Sequence, residues 1–172
     1  MISRALRLLA LVAAVATASA AGRPACAQDD EIEAMAAALK DTNYTLQDAL
    51  KVGEREGQPI SAQFEIDDGK LQVSIYTTKG DDFSETVADP KTGKIVKTEK
   101  ITDTDELNDA ADQKAAMAKA KTSLIAAADA AVKGNAGFRA VSIFPDLRDG
   151  HAIAEVTLLQ GTTAKKVTEK LE

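Results

Sequence analysis

The side chains that could do chemistry are one histidine and three pairs of aspartates. His151 is the only histidine, so it has no second imidazole with which to share a metal. The aspartates all lie beside glycine or proline: Asp67-Asp68, Asp81-Asp82, and Asp146 with Asp149. Their carboxylates could hold calcium, but turns also favour aspartate at such positions. We therefore predict turns at the aspartates and a solvent-facing histidine at the start of a strand.

Catalytic motifs are absent from the sequence. It has no Gly-x-Ser-x-Gly elbow, no His-Glu-x-x-His and no phosphate-cradling glycine loop, and one histidine would have to serve any triad. With four Phe, two Tyr and no Trp, few rings are available to stack on a sugar or a base. We therefore predict that the chain is not an enzyme and that it holds no metal and no cofactor.

The first 27 residues have the pattern of a secretory signal peptide. Arg4 and Arg7 precede an apolar run from Leu8 to about Ala16, which is too short to span a bilayer and is followed by small residues. The favoured cleavage site follows Ala25-Cys26-Ala27, so that Gln28 becomes the first mature residue. This prediction places the mature protein in the periplasm or outside the cell, with no membrane insertion after cleavage.

Two alternatives remain for this segment. Ala18-Ser19-Ala20 is a second site of the small-x-small type. Cys26, the only cysteine, could instead be lipidated, although Arg23-Pro24-Ala25 lacks the apolar residue that a lipobox carries three places upstream. Cleavage after Ala27 would remove Cys26, and a chain without cysteine has no disulfide and no thiolate metal site.

The mature chain is predicted to be clearly acidic. Cleavage after Ala27 removes three of the 21 basic residues and none of the 27 acidic ones, so the net charge changes from −6 to −9. Negative charge of this size repels a nucleic-acid backbone and an anionic membrane surface. We therefore exclude nucleic acid as a partner.

Two helices at similar spacing indicate an internal repeat. Thr45, with Asp48 three residues later, is a predicted N-cap, and Ser123 occupies the same place 78 positions on. Apolar residues follow both caps at helical spacing: Leu46, Ala49, Leu50 and Gly53 in the first, and Leu124, Ala127, Ala128 and Ala131 in the second. A glycine-containing breaker ends each helix, and a segment of strand-like alternation follows it.

The segments after these helices predict antiparallel hairpins. In the first copy Phe64 and Val73 belong to alternating runs on either side of Asp67-Asp68-Gly69, and residues 83–88 and 94–100 form a second hairpin. In the second copy we predict strands at residues 140–144, 151–159 and 164–168. The first copy therefore has four strands and the second copy has three.

The second hairpin of the first copy carries a resemblance to a known family. In the segment 86–96, Asp89-Pro90 and Gly93 form a turn, with Val87 expected to face Ile95 or Val96 across it. With the helix and hairpin upstream, the segment resembles the signature of the PepSY domain, found in propeptides of thermolysin-like peptidases and in small secreted bacterial proteins. The resemblance covers the first copy well and only the front half of the second.

The predicted fold class is therefore α+β, with two tandem PepSY-like units that each consist of a helix and a small antiparallel sheet. The domains are a signal peptide at 1–27, unit 1 at 28–103, a helical connector at 104–122 and a truncated unit 2 at 123–172. Residues 31–40 also have helical composition. The connector helix follows Asp103-Thr104, and we expect a break near Lys121-Thr122 because Ser123 matches the first cap.

A polar face of the first sheet is the predicted contact surface. Alternation places five side chains there, on the side away from the helix: Gln63, Glu65, Gln72, Ser74 and Tyr76. Tyr76 is a large amphipathic ring of the kind that anchors protein contacts, or it simply packs on a cross-strand neighbour. The last strand of the chain offers another route, since a free edge can pair with an extended peptide.

Two functions are compatible with this sequence. The resemblance to PepSY implies a non-catalytic exported module that binds an envelope or secreted protein, for example by restraining a peptidase. The alternative is an envelope protein that binds a small ligand or a divalent cation through its acidic turns.

Overall fold

A computed structural model describes residues 25–172 of the protein, with side chains from residue 30 onward. This part of the chain forms four helices and seven strands. In chain order they are α1 (Ala25–Leu39), α2 (Leu46–Glu56), β1 (Gln58–Asp67), β2 (Lys70–Lys79), β3 (Asp82–Asp89), β4 (Lys94–Lys100), α3 (Thr104–Lys119), α4 (Leu124–Lys133), β5 (Arg139–Arg148), β6 (His151–Gln160) and β7 (Thr163–Lys170). Residues 1–24 of the predicted signal segment lie outside the described residues, and the predicted cleavage site falls in the first turn of α1.

All seven strands belong to one antiparallel sheet, in the order β4-β3-β2-β1-β5-β6-β7. The predicted arrangement of two tandem units, each with its own small sheet, is therefore wrong. The prediction failed at the first strand of each copy. Strands β1 and β5 pair with each other, so neither copy has a free sheet edge at this point. The domain boundaries at residues 103 and 122 stay a prediction. Strands from both sides of this segment belong to the same sheet.

The junction between β1 and β5 is short. Only Ala62 with Ile143 and Gln63 with Ser142 are paired there, and the two strands diverge on either side. Pro59 and Pro145 lie outside these two pairs, so the missing N–H of each removes no bond from the ladder between β1 and β5. A bulge between Pro59 and Ser61 accompanies the divergence.

One face of the sheet is covered by α2 and α4, which pack against each other. The repeat helices bury the residues predicted from their spacing, including Leu46, Leu50 and Ala128, all 0% exposed. Phe64, Val73 and Ile75 meet them from the sheet. At Gly53 of α2 a methyl group would lie 2.5 Å from Cγ2 of Ile75, so glycine permits the close approach of helix and sheet.

The predicted helix starts are confirmed. Thr45 and Asp48 form a capping box, in which the Thr45 hydroxyl accepts from the Asp48 N–H and the Asp48 carboxylate accepts from the Thr45 N–H. Ser123 accepts from the N–H of Ala126. The chain is not helical between Lys119 and Leu124, so the predicted break is confirmed as well.

The hairpin that carries the resemblance forms, but its pairing differs by one residue from the prediction. Ala88 faces Ile95 and Val87 faces Lys97, because a bulge lies at this point of the ladder. Its turn packs on the loop before α2: the Thr42 hydroxyl donates to the carbonyl of Pro90 at 2.6 Å. Gly93, at a φ of 67°, lies against the ring of Tyr44.

Helix α3 lies on the opposite face of the sheet from α2 and α4. Leu107 and Ala110 pack there with Ile60, Tyr76 and Phe83 in a second, smaller apolar cluster. Asp103 caps this helix by accepting from the N–H groups of Asp105 and Glu106, as its sequence predicts. The helix thereby covers a face that the sequence pattern indicated as solvated.

Candidate functional site

The five residues predicted as a contact surface do share one face of the sheet. Gln63 is paired with Ser74 and Glu65 with Gln72, and Tyr76 follows on the same face of β2. Phe64 and Val73 point the other way into the core, at 2% and 0% exposure. The predicted strand phase is therefore confirmed.

The predicted exposure of this face is wrong. Tyr76 is 7% exposed, Gln63 2% and Ser74 0%, while Glu65 and Gln72 are half-buried. Helix α3 is the cause, since Leu107 and Ala110 pack against the cluster that contains Tyr76. The hydroxyl of Ser61 in β1 also donates to Oε1 of Gln113 at 2.7 Å. A partner could reach Tyr76 only if α3 moved away.

The polar groups under and beside α3 are bonded to one another. Glu65 Oε1 accepts from Gln72 Nε2 and from the Ser74 hydroxyl, both at 2.6 Å. The Tyr76 hydroxyl lies 3.4 Å from Glu85 Oε1. Burial raises the pKa of the Tyr76 phenol far above its ordinary value, and the negative charges of Glu85 and Glu65 raise it further. A phenol held neutral in this way stabilises packing and is unsuited to donating its proton.

His151 lies at the first position of β6 and faces solvent, as predicted. Its side chain is 73% exposed and its Nδ1 lies 3.0 Å from Oε2 of Glu172. This contact lowers the pKa of the Glu172 carboxyl. His151 is the only histidine of the sequence, so no second imidazole is available to share a metal with it.

Three of the six aspartates, Asp68, Asp81 and Asp149, lie in turns as predicted, and Asp67 and Asp82 lie at the adjoining strand ends. Asp68 and Asp149 adopt positive φ angles of 48° and 53°, which the aspartate side chain tolerates in tight turns. Asp81 and Asp82 form ion pairs with Lys114 and Lys100. Asp146 differs from the prediction, since it lies within β5 and is paired with Ile153. Within residues 25–172 no three His, Cys, Asp or Glu side chains cluster to hold a metal ion.

Two small grooves lie on the described surface. One of about 240 Å³ lies where α2, the end of α3 and the start of α4 meet, and it is lined by Leu50, Met117 and Leu124 among others. The second, of about 380 Å³, lies between α1 and the loop before β5, beside Phe138 and Arg139. Arg139 already donates to three backbone carbonyls there, those of Leu39, Thr42 and Tyr44.

In the described part of the chain, the two outer strands β4 and β7 leave the sheet open at both edges. The outer side of β7 is the edge that the sequence predicted, and the outer side of β4 was missed. Ile95 and Val96 in β4 are 42% and 66% exposed, and they are the large apolar side chains that the described chain leaves in solvent. The signal for this edge was present in the sequence, because β4 alone of the strands has two adjacent branched apolar residues among lysines.

Comparisons with known proteins define no family for this chain. No family model matches it, and no characterised protein matches its sequence. A crystal structure described as a "putative lipoprotein" from Clostridium difficile 630 is similar, with a TM-score of 0.40 and 16% identity, over 72% of this chain and 82% of that chain. A likeness at this level carries no argument about fold or function. In the described residues no helix is long and apolar enough to cross a membrane.

Proposed function

We propose that this chain is a non-catalytic, exported module that binds another protein through the open edge of its sheet. The observation that carries the proposal is the β4 edge, where unpaired backbone groups adjoin the exposed side chains of Ile95 and Val96. An edge of this kind is a ready template for a further strand. Export is inferred from the signal pattern of the first 27 residues.

The Tyr76 face, which the sequence predicted as the contact surface, has a structural role in this proposal. Tyr76 and its polar neighbours hold α3 on the sheet, because they are buried beneath it. Exposed apolar side chains, in contrast, bury area only when a partner covers them. Contact through β4 therefore replaces contact through the Tyr76 face. The resemblance to PepSY implies a more specific role, in which the partner is an envelope peptidase that this module restrains.

The alternative, a small-ligand or cation-binding protein, receives less support. The aspartates that suggested it occupy turns, a strand or ion pairs with lysine, and they converge on no common point in residues 25–172. The two grooves are small surface features, and Arg139, the half-buried charged residue that lines one of them, already donates to backbone carbonyls.

Site-specific photocrosslinking tests the proposal. A photoreactive phenylalanine analogue would replace Val96 in β4, with matched replacements at Thr168 in β7 and at Lys133 on the exposed side of α4. In the native cell envelope we expect a discrete adduct with one protein from position 96, none from position 133, and no change on addition of a chelator. Absence of an adduct at both edges, or an adduct that requires a divalent cation, would contradict protein binding by the sheet edge.

A further inference from the structure

The β4 edge has chemical properties that define its partner more closely, provided that the proposed protein-binding function holds. β4 pairs with β3 along one side and ends the sheet on the other. Along seven residues its outward N–H and C=O groups meet no strand of the described chain. An extended segment could satisfy them as an eighth strand.

The apolar part of this edge is confined to two residues. Ile95 faces Ala88, and Lys97 faces Val87, so Val96 is the extra residue of the bulge and has no partner opposite it. Its side chain is 66% exposed. A partner strand that carries one apolar side chain at this level would cover Val96 and would gain the corresponding hydrophobic free energy.

The charge of β4 is opposite to that of the protein as a whole. The strand has three lysines, Lys94, Lys97 and Lys100, against one acid, Glu99, in a chain with a net charge of −6. Lys97 pairs with Glu99 at 2.7 Å and Lys100 pairs with Asp82. Lys94 is exposed and makes no ion pair within residues 30–172, so it is available to a carboxylate on an incoming strand.

A second copy of this chain is poorly suited to pair with the β4 edge. Antiparallel pairing of β4 with itself in full register would set Lys94 opposite Lys100 and Lys97 opposite its own counterpart. The other edge, β7, also has three lysines against one acid: Lys165, Lys166 and Lys170 against Glu169. Like charges directly opposite each other destabilise a strand pair. Both edge strands therefore carry a net positive charge, which disfavours pairing of any two of these edges between copies.

We infer that the β4 edge binds an extended acidic segment of a partner protein, which continues the sheet as an added strand and covers Val96 with an apolar side chain. Carboxylates of the segment would face Lys94 and its neighbours. The alternative explanation is that the lysines and the bulge of β4 only protect the edge from aggregation. A purely protective edge would bind no strand of either charge, so the two explanations predict different results.

Peptide binding to the full-length chain tests the inference. The probe is a fluorescein-labelled ten-residue peptide that alternates Glu with Val, and the controls are a Lys-Val peptide and a Glu-Val peptide with N-methyl groups on alternate residues. Fluorescence anisotropy should show binding of the Glu-Val peptide, weaker binding in high salt, and a loss of about tenfold or more on N-methylation, which removes backbone donors. Equal binding of the acidic and basic peptides, or no binding, would overturn the inference.

Matched variants locate the site. Lys94→Glu in β4 should weaken binding of the Glu-Val peptide about tenfold, and Val96→Ser should weaken it several-fold, whereas Lys170→Glu in β7 should leave it unchanged. All three positions are exposed, so circular dichroism should show an unaltered fold. A loss with Lys170→Glu equal to that with Lys94→Glu, or a β4-mediated dimer in sedimentation, would contradict the assignment.

The two proposals fail in different ways. If the acidic peptide does not bind but residue 96 still crosslinks to one envelope protein, the acidic chemistry is wrong and protein binding stands. If both experiments give nothing, the proposed function is wrong too.

Discussion

Tyr76 lies between the sheet and α3, and its burial makes it a test of how the two pack. With 7% exposure and contacts to the cluster of Leu107 and Ala110, its truncation would open a large cavity. We expect Tyr76→Ala to lower the free energy of unfolding by about 3–5 kcal/mol, as for other buried aromatic residues. Urea unfolding followed by circular dichroism measures this loss.

Tyr76→Phe is the matched control for this prediction. The hydroxyl lies 3.4 Å from Glu85, a long hydrogen bond, so its removal should cost about 1 kcal/mol or less. If Tyr76→Ala were as stable as the wild type, α3 would not cover this face, and the Tyr76 surface would again be available to a partner.

The carboxyl of Asp48 couples the α2 cap to pH. The hydrogen bond from the Thr45 hydroxyl is the main reason why the pKa of Asp48 lies below its ordinary value of 3.8. A lowered native pKa contributes stability that is present above the unfolded value and is lost as the pH falls through the native value. We therefore expect Asp48→Asn to destabilise the protein at pH 7 and to have a smaller effect near pH 2, in unfolding curves at both pH values. An effect that grows in acid would contradict the capping box.

At the scale of elements, Arg139 joins the two halves of the sequence. From the start of β5 it donates to carbonyls of Leu39, Thr42 and Tyr44 around the end of α1, at 2.7 to 3.3 Å. Its guanidinium is half-buried over the ring of Phe64, and burial lowers its pKa. The carbonyls at a helix C-terminus attract a cation, so this contact fastens α1 and its loop.

We expect Arg139→Met to release α1, with a loss of about 2–3 kcal/mol, because three carbonyls would lose a charged donor. Arg139→Lys should rescue little, since an ammonium cannot span the positions that the planar guanidinium reaches. Hydrogen exchange should show faster exchange in residues 30–39 and unchanged protection in β6. Protection of α1 at the wild-type level in both variants would mean that apolar contacts alone hold it.

Local patterns predicted the elements themselves well. Caps at Thr45 and Ser123, and the alternation around Phe64 and Val73, depend on hydrogen bonds and faces within a few residues, which the sequence displays directly. The position of α3 could not be predicted in this way. Its few apolar residues, such as Leu107 and Ala110, do not reveal which sheet face they cover, so the face of Tyr76 was interpreted as solvated.

At the scale of the whole molecule, the scattered aspartates predict that calcium does not change the stability of the protein. A ligand that binds only the folded state would raise its stability by RT ln(1 + [L]/Kd), but the described acids form no group of three. We expect 5 mM calcium to leave the melting temperature unchanged relative to an equal ionic strength of sodium chloride. An increase of several degrees that EDTA reverses would revive the cation-binding alternative.

The single sheet was missed because it depends on contacts far apart in the sequence. Two pairs, Ala62 with Ile143 and Gln63 with Ser142, join strands about 80 residues apart, and no local pattern marks them. A repeated motif is equally compatible with two separate units and with two copies that share an edge. In a separate unit the edge of β1 would be exposed to solvent. That exposure would lower the stability of the unit, since residues 60–64 of β1 are all buried in the joined sheet.

The joined sheet predicts that the two copies unfold together. Ile143, at 0% exposure, lies at the junction opposite Ala62, and α2 and α4 share one core above it. Ile143→Ala should cost about 2–5 kcal/mol, and native-state hydrogen exchange should show that loss equally in the slowest amides of β2 and of β6. Val167→Ala, in a partly buried position near the outer edge, is the control for a smaller loss. If Ile143→Ala lowered protection in β6 and left β2 unchanged, the copies would be independent folding units joined by a weak seam, and the two pairs at β1 and β5 would not couple them.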